Sequence, residues 1–137
     1  MDNDTGSGRV LMAPYGTLRI GHGNWRWAFA EAKVVQKDDT VAGYTLKATS
    51  PKGGIPAAFE NKLDSGVVVD VLDITDMPDM ERTLERVDCM EFACGYVRRL
   101  IHTKHGHDAW MYVMPEESTR HFVYPVPRND WNLMGAQ

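Results

Sequence analysis

The sequence lacks any long hydrophobic run, and no apolar segment approaches the roughly 20 residues that a membrane-spanning helix needs, so we expect no membrane association. Cysteine is scarce: Cys89 and Cys94 give no disulfide framework, and a reduced, cytoplasmic setting is the simpler interpretation. A basic excess is also missing. The net charge of −4 argues against a surface that follows a phosphate backbone, so no nucleic-acid partner is expected. The acidic start, MDNDTGSGR, has no apolar segment and predicts no secretory signal.

The residues that are present predict one globular domain. A chain of 137 residues fits a domain of ordinary size, and 43% hydrophobic residues are enough to form its core. No internal repeat, linker or low-complexity block divides the chain. We therefore predict a single domain over residues 9–137, preceded by a short flexible tail at 1–8.

Strand patterns outnumber helix patterns along the chain. The predicted strands are 9–15, 42–49, 66–73, a hairpin of 96–103 with 109–115, and an edge strand in HFVYPVP, whose prolines exclude a central position. Residues 25–32 favour a short helix or an aromatic connection, and a loop at 51–54 precedes a small apolar patch. One main helix is predicted over 77–91. The fold class is therefore α+β, with a mostly antiparallel sheet or small barrel.

A glycine-rich turn follows the first predicted strand. In APYGTLRIGHGNW (13–25), Gly16, Gly21 and Gly23 lie close together. Glycine lets the backbone approach another object without a Cβ atom in the way. That object is either another part of the protein or a ligand.

The predicted helix places a carboxylate on its apolar face. At about 100° per residue its methionines, Leu84 and Val87 form one apolar stripe, and Glu91 projects about 20° from Leu84, while Asp88 lies just past the edge. A carboxylate on a core-facing surface is costly unless it is paired, protonated or lines a cavity. The alternative is a helix that ends before Glu91 and leaves it in a solvated loop.

Several other polar and aromatic residues have simpler interpretations. His102, His105 and His107 lie in the predicted hairpin turn without acid or cysteine ligands at a known metal-site spacing, so no metal site is expected. We expect Trp27 to be a core aromatic residue and Cys89 a small buried residue.

The turn and the helix end belong to an ordered set of motifs that resembles the γ-glutamylcyclotransferase-like family. That family carries a YGTL(R/K)-G-N signature, an L-D-x-L-E helix end, a tyrosine–arginine strand and an AWxYV strand. This sequence has PYGTLRIGHGN, then VDCME at 87–91, YVR at 96–98 and AWMYV at 109–113, in the same order. The compact loop FACGY at 92–96 is similar to that of phage-encoded members.

The resemblance implies a cyclotransferase that converts γ-glutamyl amines or peptides to 5-oxoproline and a free amine. Such a reaction requires no metal or cofactor. The resemblance also implies a small-molecule γ-glutamyl substrate as the partner. Glu91 takes the position of the family's general acid/base. The residues that the resemblance assigns to the γ-glutamyl group are Tyr15, Gly16, Thr17 and Leu18, with Tyr112 as a further pocket residue.

Two alternatives stay open. In a competing register, LERVD at 84–88, Asp88 would be the acid; Glu91 retains the family's residue type and is more central on the apolar face. Val87, Met90 and Phe92 depart from the family pattern, which affects the leaving-group side most. A non-catalytic protein that binds a small metabolite on the same fold is therefore the alternative function.

Overall fold

The computed structural model describes residues 3–5, 8–116 and 121–134. Their regular elements are β1 Leu11–Met12, α1 Gly23–Ala28, β2 Lys33–Val41, β3 Tyr44–Ser50, β4 Gly53–Glu60, β5 Val67–Asp73, α2 Met80–Ala93, β6 Val97–His102, β7 Asp108–Val113 and β8 Tyr124–Pro125. Two single-turn 3₁₀ helices follow at Pro127–Asn129 and Trp131–Leu133. No helix in the described part of the chain is long and apolar enough to span a bilayer.

The strands form two open sheets rather than one closed barrel. The larger sheet has the order β2-β5-β1-β7-β6 and the smaller one β4-β3-β8. Among the described strands only the pair β1–β7 is parallel, through Met12 and Trp110, and the other pairs are antiparallel. The predicted α+β class, with mostly antiparallel strands and one main helix, is confirmed.

Several predicted elements lie where the sequence placed them. β6 and β7 form the predicted hairpin, from the pair Val97–Val113 to the pair His102–Asp108. β8 is an edge strand that pairs with β3 alone. α2 extends to Ala93 and therefore includes Glu91, so the alternative of a helix that ends before Glu91 is wrong.

Two strands were missed and two side chains were misplaced. β2 carries lysines and two irregularities of register, which obscure its alternation. β4 begins with two glycines and contains Pro56, which an edge strand tolerates because no further strand pairs with one of its sides. Trp27 is 41% exposed and Cys89 is exposed, so their predicted burial is wrong.

The tail predicted at 1–8 falls partly outside the described residues, since positions 1, 2, 6 and 7 are not among them. Among the residues that are described, the carbonyl oxygen of Asn3 accepts a hydrogen bond of 2.9 Å from the indole N–H of Trp110. The division into a tail and a domain at 9–137 stays a prediction.

Two hydrophobic clusters meet at the glycine-rich turn. One lies between the sheets and includes Tyr15, Leu46 and Val69. The other lies beneath the helices and includes Leu18, Leu84 and Val87. Burial of apolar residues on both sides of the turn fixes its position relative to α2 and the sheets.

Gly66 offers a test of the close contact between β2 and β5. Its φ is +130°, and a Cβ atom there would lie 2.5 Å from the Val41 carbonyl oxygen. Gly106 has a φ of +92° with open space around it, and is a matched control. We expect Gly66→Ala to lower the free energy of unfolding by about 2 kcal/mol more than Gly106→Ala in urea titrations, because only Gly66 adds a backbone clash to the strain. Equal losses would contradict this contact.

Candidate active site

A pocket of about 210 Å³ lies between the glycine-rich turn, the start of β4, the end of α2, Tyr96 before β6 and Tyr112 on β7. All six residues singled out by the sequence line this pocket: Tyr15, Gly16, Thr17, Leu18, Glu91 and Tyr112. The structure adds lining residues that the sequence analysis did not single out: Pro14, Asn24, Gly54, Ile55, Pro56, Met90, Cys94 and Tyr96.

The turn is held in shape by backbone hydrogen bonds. The Arg19 N–H donates to the Gly16 carbonyl at 2.9 Å, and the Trp25 N–H donates to the Thr17 carbonyl at 3.0 Å, which ties the turn to the start of α1. The Asn24 amide donates to the Thr17 hydroxyl at 2.8 Å. Within the described part of the chain, no acceptor takes the N–H groups of Gly16, Thr17 or Leu18.

Gly16 shows what the backbone of the glycine-rich turn approaches. A Cβ atom at Gly16 would lie 2.6 Å from Cγ of Pro56, so the turn and β4 approach closer than any other residue type allows. The same close approach forms one wall of the pocket. Gly16 therefore serves both possibilities, since it packs against another part of the protein and borders a ligand-sized space.

A buried arginine anchors the turn from behind. Arg19 is fully buried, and its guanidinium contacts three carboxylates: Asp70 at 3.2 Å, Asp38 at 2.7 Å and Asp130 at 2.7 Å. Asp70 also accepts the N–H of Ile20 at 3.1 Å. A buried cation needs such compensation, and here the ion pairs connect the turn to β5, to β2 and to Asp130, which precedes the last 3₁₀ helix.

Two tyrosine hydroxyls fasten β4 to the pocket. The Ala58 N–H donates to the Tyr15 hydroxyl at 3.1 Å, and the Tyr96 hydroxyl donates to the Pro56 carbonyl. Burial raises the pKa of both tyrosines above the ordinary value, so they remain neutral hydroxyls at neutral pH. The sequence could have identified Tyr96 as a pocket residue, because it begins the tyrosine–arginine motif. The contribution of β4 to the pocket was harder to foresee, because its glycines and proline are typical of a loop.

The two candidate carboxylates on α2 have different surroundings. Asp88 accepts a hydrogen bond from the Tyr112 hydroxyl at 2.5 Å and forms an ion pair with Arg98 at 3.0 Å. The Glu91 carboxylate borders the pocket, and among the described residues none donates a hydrogen bond to it. Burial, with a smaller contribution from the charge of Asp88, raises the pKa of Glu91 from 4.5 to about 7.

This arrangement suits proton transfer. A carboxylate with a pKa near 7 can accept a proton at neutral pH and return it in a later step. The neighbouring backbone N–H groups of the turn are suitable donors for an oxygen that gains negative charge. Asp88 is already committed to Tyr112 and Arg98, and is placed to hold that tyrosine in the pocket wall.

His102, at the end of β6, and His105, in the turn that follows it, do not line this pocket. His102 pairs with Asp108 at 2.7 Å, and His105 pairs with the buried Asp39 at 2.6 Å. The described residues contain no group of three or more His, Cys, Asp and Glu side chains placed to hold a metal ion.

Comparison with known proteins agrees with this fold. Structures that resemble this one include an uncharacterised protein of Pyrococcus horikoshii, with a TM-score of 0.68 at 24% identity over 90% of each chain. An AIG2-like protein of Mus musculus gives a TM-score of 0.64 at 15% identity, covering 86% of this chain and 84% of the mouse one. These likenesses define the fold class.

The family follows from the sequence match. Residues 12–133 match the family described as "Gamma-glutamyl cyclotransferase, AIG2-like". A provisionally named gamma-glutamylcyclotransferase of Methanocaldococcus jannaschii is 30% identical over 107 residues, which cover 74% of this chain and 82% of the relative. The chain therefore belongs to the gamma-glutamyl cyclotransferase, AIG2-like family, as its motifs predicted.

The environment of Glu91 predicts a pH-dependent cost in stability. Because its folded-state pKa of about 7 exceeds the ordinary 4.5, the folded protein binds this proton more tightly than the unfolded chain, and stability falls as pH rises between those values. Glu91→Gln removes that loss. Relative to wild type, its free energy of unfolding should be nearly unchanged at pH 4 and higher by about 1–3 kcal/mol at pH 8.

Urea denaturation at the two pH values measures this difference. Glu85→Gln is the matched control, since Glu85 is an exposed carboxylate on the same helix. A difference between Glu91→Gln and wild type that is the same at pH 4 and pH 8 would show that Glu91 ionises normally.

Proposed function

We propose that this protein converts γ-glutamyl amines or peptides to 5-oxoproline and a free amine, with Glu91 as the general acid/base. The observation that supports this most strongly is the Glu91 carboxylate, largely buried with a raised pKa, which shares one pocket with the turn at residues 15–18. The family contributes the reaction class. The cytoplasmic setting and the similarity to phage-encoded members stay predictions from the sequence.

In the proposed reaction, Glu91 first activates the substrate's own nucleophile. The α-amine of a γ-glutamyl compound is mostly protonated at neutral pH and cannot attack. Glu91 accepts a proton from it, and the free amine nitrogen then bonds to the γ-carbonyl carbon. Binding the substrate folded back on itself brings these two atoms together, which supplies much of the rate gain.

The second half of the reaction breaks the amide bond. As the γ-carbonyl carbon becomes tetrahedral, its oxygen gains negative charge, which the N–H groups of Gly16, Thr17 and Leu18 would stabilise. Glu91 then returns the proton to the leaving nitrogen, and the bond from carbon to that nitrogen breaks. The new ring nitrogen still carries one proton more than the neutral lactam, and Glu91 passes this second proton to the departing amine, so that 5-oxoproline and an ammonium are released. The neutral hydroxyls of Tyr15, Tyr96 and Tyr112 keep the walls of the pocket in place.

Removing the carboxylate tests the role of Glu91. Glu91→Gln keeps the shape but cannot accept the proton, so 5-oxoproline formation from a panel of γ-glutamyl amines and dipeptides should fall about 10²–10⁴-fold with binding preserved. Asp88→Asn should be milder. Because Asp88 contributes to the raised pKa of Glu91, this variant should also shift the rise of kcat/KM to lower pH.

Mass spectrometry of 5-oxoproline measures both variants, with Glu85→Gln as the exposed control. An inactive Asp88→Asn beside an active Glu91→Gln would move the general acid/base to Asp88. A wild type that binds a member of the panel and converts none would favour the alternative of a metabolite-binding protein.

The contact between Gly16 and Pro56 gives a second test. Gly16→Val forces the turn away from β4, so ligand binding should weaken about tenfold or more, since small displacements in a site have large effects. Gly23→Val is the matched control, because a Cβ atom at Gly23 meets nothing within 4 Å. Calorimetry in the Glu91→Gln background measures binding without turnover, and circular dichroism checks the fold. Equal affinities would place ligand binding away from the turn.

A further inference from the structure

The outer part of the pocket differs in character from its inner part. Tyr96 and Tyr112 on the inner side are buried, whereas Ile55 on β4 is 54% exposed and Cys94 at the end of α2 is exposed. The exposure of Met90 is intermediate between that of the two tyrosines and that of Ile55 and Cys94. If the γ-glutamyl group occupies the inner part beside the turn and Glu91, the leaving amine extends past Ile55, Met90 and Cys94.

Ile55 is held in this exposed position by the hairpin that carries it. Its backbone N–H donates to the Thr49 hydroxyl at 3.0 Å. The preceding Gly54 has a φ of +77°, and a Cβ atom there would lie 2.4 Å from the same hydroxyl. A branched aliphatic side chain that is fixed by the backbone and yet exposed at a pocket is available to bury the apolar part of a ligand.

The charges around the pocket restrict what the leaving amine can carry. Among the described lining residues Glu91 is the one carboxylic acid, and none is a lysine, arginine or histidine. A carboxylate on the leaving amine would meet no cation and would be repelled by Glu91. An additional ammonium at the far end of the leaving amine would lose water against Ile55 and Met90, and the one carboxylate of the lining, Glu91, is engaged at the reacting end of the substrate.

We propose that the preferred substrates are γ-glutamyl amides of apolar amines, whose hydrocarbon part lies against Ile55 and Met90. This inference rests on the proposed function and names its substrate class. The bond between the γ-carbonyl carbon and the amine nitrogen breaks, and the bond between that carbon and the α-nitrogen forms. The α-ammonium loses two protons as it becomes the lactam N–H, and both pass through Glu91 to the leaving nitrogen, which departs as an ammonium; no other reactant is consumed.

A matched pair of substrates tests this preference. γ-Glutamyl-3-methylbutylamide and γ-glutamylleucine share the same hydrocarbon, and the second adds one carboxylate. A third compound, the γ-glutamyl amide of 1,4-diaminobutane, adds an ammonium instead. We expect kcat/KM for 5-oxoproline formation to be at least about tenfold higher for the methylbutylamide than for either charged compound. A ratio of one or less for either compound overturns the proposal.

A variant of Ile55 assigns the preference to this wall. Ile55→Lys places a cation where the hydrocarbon would lie, so it should lower kcat/KM for the methylbutylamide and raise it for γ-glutamylleucine. Leu63→Lys is the control, because Leu63 is 98% exposed and does not line the pocket, and it should leave the ratio unchanged. A ratio in Ile55→Lys equal to that of wild type, with an unchanged Tm, overturns the role of Ile55.

The design separates this proposal from the proposed function. If wild type forms 5-oxoproline from γ-glutamylleucine as fast as from the methylbutylamide, the function stands and the substrate class is wrong. If it forms 5-oxoproline from none of the three, the proposed function is wrong. Calorimetry of wild type with the same unreacted pair then decides the apolar preference: tighter binding of the methylbutylamide supports it, and equal or weaker binding overturns it.

Discussion

The ion cluster around Arg19 is the constraint on which the rest of the site depends. A fully buried guanidinium must be compensated, and Asp70, Asp38 and Asp130 do so from three different parts of the chain. Arg19 directly follows Leu18, so satisfying this charge also sets the position of the glycine-rich turn. Moving the turn would leave one of these buried charges unpaired, which is costly, so a single position of the turn is favoured. A turn fixed in this way can present its backbone amides in one geometry.

The properties of the pocket then depend on the different surroundings of two carboxylates one helical turn apart. Asp88 and Glu91 lie on the same helix, but Asp88 forms an ion pair with Arg98 and accepts a hydrogen bond from Tyr112, while Glu91 borders the cavity. Asp88 therefore holds Tyr112 in the pocket wall, and Glu91 is available to a ligand. Their proximity links the roles, because the charge on Asp88 contributes to the raised pKa of Glu91.

Sequence reasoning succeeded where a short-range pattern decides the outcome. The helical period placed Glu91 near the buried Leu84 and Val87, and the alternation of 96–103 and 109–115 gave the hairpin. It failed where partners distant in sequence decide. β4 was obscured because Pro56 and two glycines indicate a loop unless the strand is known to lie at a sheet edge. Nothing local to Arg19 predicts that three distant carboxylates surround it.

The shortness of β1 has a consequence for the order of assembly. The hairpins β3–β4 and β6–β7 join neighbouring segments, whereas the two residues of β1 pair with β5 and β7, roughly 60 and 100 residues away along the chain. Contacts between distant segments form late because closing a long loop costs entropy. β1 runs directly into the glycine-rich turn, so the pocket should be completed only in the final step of folding. Acquisition of ligand binding during refolding would therefore report the native state itself rather than a partly formed sheet.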